Sequence, residues 1–131
     1  MKAIDTNILV RFLTGDDEDQ AQKVYLLFKN AESEKKEFFI PLLVMLETIW
    51  VLESVYEISR HDILDAVKDL LLMPIFQFEH QSALQQLVYS GQGNNYDLSD
   101  LLIAHSANLS GCETVLTFDK KASKFKLFEL M

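Results

Sequence analysis

The chain has 131 residues, 49% of them apolar, with four glycines and two prolines, a length and composition that suit one domain (residues 1–131) with one proper core. No apolar run reaches the roughly 18 residues of a membrane-crossing helix, no signal-peptide cleavage pattern follows the first segment, and the single cysteine excludes an internal disulfide, so a cytoplasmic protein is expected. The formal net charge of −8 counts against a nucleic-acid partner, whose phosphates attract Lys and Arg, although four of the twelve basic residues cluster at Lys120, Lys121, Lys124 and Lys126.

Lys2-Ala3-Ile4 reads as a short strand, and Ile8, Leu9, Phe12 and Leu13 then recur at helical spacing. Asp5-Thr6-Asn7 lies at the strand-to-helix junction. Ligands of an open α/β sheet bind beyond the carboxyl ends of its strands, so Asp5 is expected to point into a crevice while Thr6 or Asn7 caps the helix. Gly15 ends that helix. Asp16, Asp17, Glu18 and Asp19 open the next, where acids complement the macrodipole, and Ala21, Val24, Tyr25, Phe28 and Ala31 share one face. Glu32–Glu37 reads as a solvated turn, and Phe38–Ile40 as the second strand, closed by Pro41.

An apolar helix follows from Leu42 to Tyr56. Glu47 falls near Leu43, Val51 and Ser54, a mainly apolar side, where an acid needs a partner or a cation unless that side is surface. The apolar residues spread too widely for one core-facing stripe, which points to a face covered by a second subunit, with Trp50 and Tyr56 suited to the contact.

Ser59 and Asp62 resemble a capping box opening a helix through Leu72, which Pro74 ends. Ile75–Glu79 is the third strand, and Ala83, Leu84, Leu87 and Val88 face inward on the helix after it. Gly91–Asn95 is a loop by composition; its Gly-x-Gly lacks the preceding strand a phosphate loop requires. Asp97 fits the N-cap of a helix through Leu109, with Asp100 in its first turn and Ser110-Gly111 as its stop. Thr114–Thr117 is the fourth strand, ending at Phe118-Asp119, and Phe125–Leu130 a short edge strand. Alternating strands and helices predict an α/β fold, a parallel sheet with helices on both faces. Cys112 reads as a small buried apolar residue; His61, His80 and His105 are scattered and suit ordinary surface or core roles.

The first and fourth strands each end in an aspartate. If they are neighbours, Asp5, Asp119 and Asp100 converge at one sheet edge, and Glu47 can join them from the helix after strand two. Carboxylates gathered in one crevice require a cation, and an all-oxygen set without a thiolate or histidine cluster favours Mg²⁺ or Mn²⁺ over zinc. Such a site suits phosphodiester hydrolysis. No Ser-His or Cys-His pair and no GxxxxGK[ST] loop is recognisable.

IDTNILVRFL, the Glu of LETIWVL, YDLSDLLIAHSANLSGC and TVLTFDKKASK, in this order and at this spacing, together resemble a PIN-domain ribonuclease of the VapC toxin type. The resemblance runs from the first residue nearly to the last. It implies a three-layer α/β/α sandwich with a short parallel sheet, an acidic pocket for Mg²⁺ or Mn²⁺, an RNA substrate, an antitoxin partner and a homodimer. Asp5, Glu47, Asp100 and Asp119 match the family's four acidic positions; Thr6, Asn7 and Thr117 match polar positions beside the pocket. Asp97 sits where the family often has another acid, though capping explains it without a metal. On this reading Asp5, Asp100 and Asp119 ligate the metal, Glu47 ligates a second ion or orients the attacking water, and Lys120, Lys121 and Lys124 hold the RNA backbone. The rivals are a phosphoacceptor receiver domain, which lacks its acceptor Asp in IFQFEH, and a non-catalytic PIN-like module that binds nucleic acid or protein.

Overall fold

Short runs rich in aromatic and branched residues make every strand but the first, and most helices are amphipathic segments behind a polar cap. In the computed structural model, which describes Met1–Met131, the chain divides into two contiguous units, Met1–Glu79 and His80–Met131. All strand pairs are parallel, and the α/β class expected of a PIN-like fold holds.

In the first unit, β1 (Lys2–Ala3), β2 (Phe38–Ile40) and β3 (Phe76–Phe78) form a sheet in that order. Lys2 lies opposite Phe38, and Phe38 opposite Phe76. The helices are α1 (Thr6–Thr14), α2 (Glu18–Glu34), α3 (Leu42–Ser54) and α4 (Arg60–Leu71). Val24, Phe28 and Ala31 of α2 are buried, whereas Tyr25, placed on the same face from its spacing, is exposed. Phe28 is the aromatic hub: its ring meets Phe12 at 4.9 Å and Phe76 at 5.1 Å, both edge-on, the geometry that aromatic quadrupoles favour.

Local caps explain most helix ends. Gly15 takes a left-handed conformation (φ 65°) and donates its N–H to the Arg11 carbonyl, a conformation glycine adopts without steric cost. Asp17 caps α2 and Ser59 caps α4. The second helix runs on to Glu34, into the stretch expected to be a turn, before Lys35 closes it.

Two ties are not local. Pro41 has no side chain with which to cap α3; instead the Glu79 carboxylate, at the end of β3, accepts from Leu42 N at 2.8 Å. A charged acceptor at a helix N-terminus contributes about 1 kcal/mol. Tyr56, proposed from sequence for a subunit contact, donates its hydroxyl to Asp16, and Arg11 reaches the same carboxylate at 3.1 Å. The Tyr56 hydrogen bond above all, with help from Thr14 and Arg11, holds the Asp16 carboxyl below its ordinary range.

In the second unit, α5 (Gln81–Ser90) packs on α6 (Leu98–Leu109), and β4 (Val115–Thr117) pairs with β5 (Phe128–Leu130) across a 3₁₀ turn at Ala122–Lys124. The last strand is thus shorter than expected, with Phe125, Lys126 and Leu127 linking the 3₁₀ turn to it. Ala83, Leu84, Leu87, Leu98, Leu101 and Leu102 are almost entirely buried. His105 is buried against the Phe125 ring and lies 2.7 Å from the Ser90 hydroxyl. Burial first, then the Lys126 charge, lowers its pKa, and of the surface and core roles the sequence allowed it takes the core one. Cys112 is exposed, not buried: it lies in the turn after α6, outside the periodic pattern that would turn it inward. No helix is long and apolar enough to cross a membrane.

Candidate active site

The last residue of β4, Thr117, accepts the Asp119 N–H on its hydroxyl at 3.0 Å. Asp119 Oδ1 in turn accepts from Lys121 N at 2.8 Å and Ala122 N at 3.1 Å. This side-chain turn starts the 3₁₀ segment and fixes the carboxylate to the backbone through one oxygen. Asp97 does the same at α6, accepting the Asp100 N–H on Oδ1 at 3.1 Å, as expected of an N-cap.

Asp97, Asp100 and Asp119 line one pocket of about 190 Å³. Lys121 and Tyr96 border it, and buried apolar residues including Leu101 and Phe125 complete the lining. Asp100 is half-buried, and its carboxyl is held above the usual range by burial, then by the Asp97 charge, then by the Asp119 charge. Like charges disfavour each other's ionised forms when they share a weakly solvated space. Three carboxylates with oxygen donors and no thiolate suit a hard divalent cation such as Mg²⁺ or Mn²⁺.

In the first unit, Asp5 follows β1 and is exposed; its Oδ1 accepts from Ile8 N at 3.2 Å. Asp5 itself is therefore the cap of α1, a role the sequence assigned to Thr6 or Asn7. Thr6 is instead the first helical residue and is buried, while Asn7 is exposed. Glu47 is also exposed, on a side of α3 shared with Leu43 (76% exposed) and Trp50 (54%). The expectation that burial forces a partner on Glu47 does not hold, because α3 is apolar nearly all round and its spacing cannot say which side faces solvent. Within its own unit, β1 is the edge strand beside β2, and β4 pairs with β5.

Lys120, Lys121 and Lys124 are exposed. Tyr96 was missed in the sequence; its only local signal is its place directly before the Asp97 cap. Its ring stands 5.4 Å from that of Phe125. His61, Asp62 and Asp65 also bring potential ligand atoms within 4.8 Å of one another, but all three are exposed on α4, His61 pairs with Asp65 at 3.2 Å, and Asp62 stands in the first turn that Ser59 caps.

Comparison with known proteins gives the same direction. The VapC ribonuclease of Aquifex aeolicus (strain VF5) is 25% identical over 124 residues, a match covering 95% of this chain and 91% of that protein. The family model of the PIN domain matches residues 2–127, a span that holds Asp5, Glu47, Asp100 and Asp119, and the chain belongs to the PIN domain family.

Proposed function

We propose that this chain is a metal-dependent endoribonuclease hydrolysing RNA phosphodiester bonds, and the toxin of a toxin–antitoxin pair. The observation that carries this reading is the pocket that gathers Asp97, Asp100 and Asp119, where burial first and the two acidic neighbours next hold the Asp100 carboxyl above its ordinary value; PIN family membership and the similarity to a VapC ribonuclease support it. Asp5, Asp100 and Asp119 are the proposed ligands of Mg²⁺ or Mn²⁺, and Glu47, exposed and so accessible, is the residue that holds a second ion or orients the attacking water. Residues 1–131 act as one nuclease domain, since the family match crosses both units.

A divalent ion bound by these carboxylates supplies an activated water and charge stabilisation at the phosphate. The chain supplies placement. The Thr117 hydroxyl holds the Asp119 N–H, and the Lys121 and Ala122 amides hold its Oδ1, leaving Oδ2 for a ligand. Asp97 fixes the first turn of α6 and hence Asp100. Thr6 and Asn7 flank Asp5, and Lys120, Lys121 and Lys124 hold the RNA backbone. Because water attacks in place of the 2′-hydroxyl, the products carry a 5′-phosphate and a 3′-hydroxyl. Labelled RNA incubated with Mn²⁺ should be cut into such products, and chelator should stop the reaction. RNA bound but uncut in Mn²⁺ would favour the non-catalytic binding module instead.

Two partners belong to the same proposal. An antitoxin that places a basic side chain into the acidic pocket would bind by charge complementarity, in a salt-sensitive manner. A second copy of the chain would cover the exposed Leu43 and Trp50 of α3. Light scattering at micromolar concentration should return twice the 15.1 kDa chain mass; a monomer would end the homodimer.

A further inference from the structure

Phe118 is 81% exposed, although a phenylalanine ring is among the side chains that gain most from leaving water. It stands between Thr117 and Asp119, whose side chain and backbone are tied together in the turn described above. The backbone that carries the ring is thus fixed at the Asp119 amide. Consecutive Cα atoms are about 3.8 Å apart, so the ring leaves the chain one residue from a proposed catalytic carboxylate. Lys120, Lys121 and Lys124 follow at once and are exposed.

An apolar ring beside lysines, in a chain of net charge −8, matches one kind of occupant. Single-stranded RNA offers a flat base for the ring and phosphates for the ammonium groups, and proteins that bind it combine these two contacts. We propose that Phe118 is a base-stacking residue, which seats an unstacked base of single-stranded RNA beside the proposed cleavage site at Asp119. The inference rests on the ribonuclease reading and adds the substrate form: RNA whose base at that position is free of a duplex. It also supplies what net charge withholds, since stacking on a π-face needs no positive charge. A protein partner would have to bring an apolar pocket and acidic side chains to this one place, whereas every nucleotide of RNA carries a flat base and an anion together.

The test measures RNA binding by the full-length chain in the Asp100→Asn background, where cleavage does not interfere. The probes are a fluorescein-labelled single-stranded oligonucleotide, the same strand in a blunt duplex, and versions with one abasic nucleotide at each position in turn. Phe118→Ala should weaken single-strand binding by about 5-fold or more, Phe118→Trp should keep it, and the duplex should bind worse than the single strand. One abasic position should weaken binding to the Phe118 protein and leave Phe118→Ala indifferent. In the cleaving parent, Phe118→Ala should raise KM more than it lowers kcat. Equal affinities of Phe118→Ala and its parent, or tolerance of every abasic position, would overturn the inference while leaving the nuclease intact. Loss of self-association in Phe118→Ala with RNA affinity unchanged would assign the ring to a protein contact. A parent that binds single strands through Phe118 but cuts nothing in Mn²⁺ would instead refute the ribonuclease reading alone.

Discussion

Asp100→Asn should reduce RNA cleavage by about 10²–10³-fold or more and yet, in chelator at neutral pH, melt above the parent. Both effects come from one charge. Asp100 is held above its ordinary value of 3.8 by burial and by its two acidic neighbours, so the folded protein binds that proton more tightly than the unfolded chain. Stability then falls as pH rises from the unfolded value through the raised folded one. The penalty is complete above the folded pKa and absent well below 3.8. Asparagine keeps the shape and removes the charge, so its advantage should be full at pH 7 and vanish in acid. Asp16 has the opposite slope: its lowered pKa gives stability above the ordinary value that is lost as pH falls through the lowered one. Both proteins share that term, and it cancels in the difference. Thermal melts of the two proteins across pH measure this directly. A variant that melts below its parent at pH 7 would mean the Asp100 carboxylate is a structural partner.

Metal should separate the parent from Asp119→Asn by a similar margin. At a hundredfold excess over its dissociation constant, a ligand specific to the native state stabilises by roughly 2.7 kcal/mol. The parent should gain that from Mn²⁺, and Asp119→Asn much less. The Asn variant retains an Oδ1 that can accept from Lys121 N and Ala122 N, as Asp119 does, so in chelator it should melt close to the parent or above it. Asp119→Ala removes the acceptor as well, and should be less stable than Asp119→Asn by about 1 kcal/mol for each lost bond. Equal Mn²⁺ responses of parent and Asp119→Asn would remove Asp119 from the ligand set and leave it a turn residue.

What the sequence discloses of this fold depends on how far apart the partners lie. The caps at Asp17, Ser59 and Asp97 join residues three apart, and their short patterns are readable in any chain. So is the left-handed close at Gly15. The Glu79 cap on Leu42 spans 37 residues and the Tyr56 bond to Asp16 spans 40; no local pattern announces either. Strand order is likewise a long-range property: the pairing of β1 with β2 and of β2 with β3 joins segments more than thirty residues apart, and no local pattern announces it. Within the site, Asp97, Asp100 and Asp119 were legible as residues, and the pocket that unites them follows from the turn at Asp119. Glu47 stood out as an acid on an apolar helix and again by resemblance, but a helix apolar nearly all round gives no period that tells its exposed side from its buried one. Asp5 was chosen for chemistry while its capping role went to its neighbours, although one carboxylate can serve both with different oxygens.

The two contiguous units also set an order on synthesis. A nascent chain completes Met1–Glu79, with every strand of the three-stranded sheet, before any of His80–Met131 is made. Of the four acids proposed for catalysis, Asp5 and Glu47 emerge early, whereas Asp100 and Asp119 belong to the last third of the chain. At roughly 5–20 residues per second, several seconds separate Glu47 from Asp119. During that time the growing polypeptide sits on a ribosome, surrounded by RNA, with only half of its proposed cutting residues. Divided between two units made in succession, the proposed set of four carboxylates cannot be complete until Asp119 has been translated, so the ribosome that makes the chain meets only part of that set in the meantime.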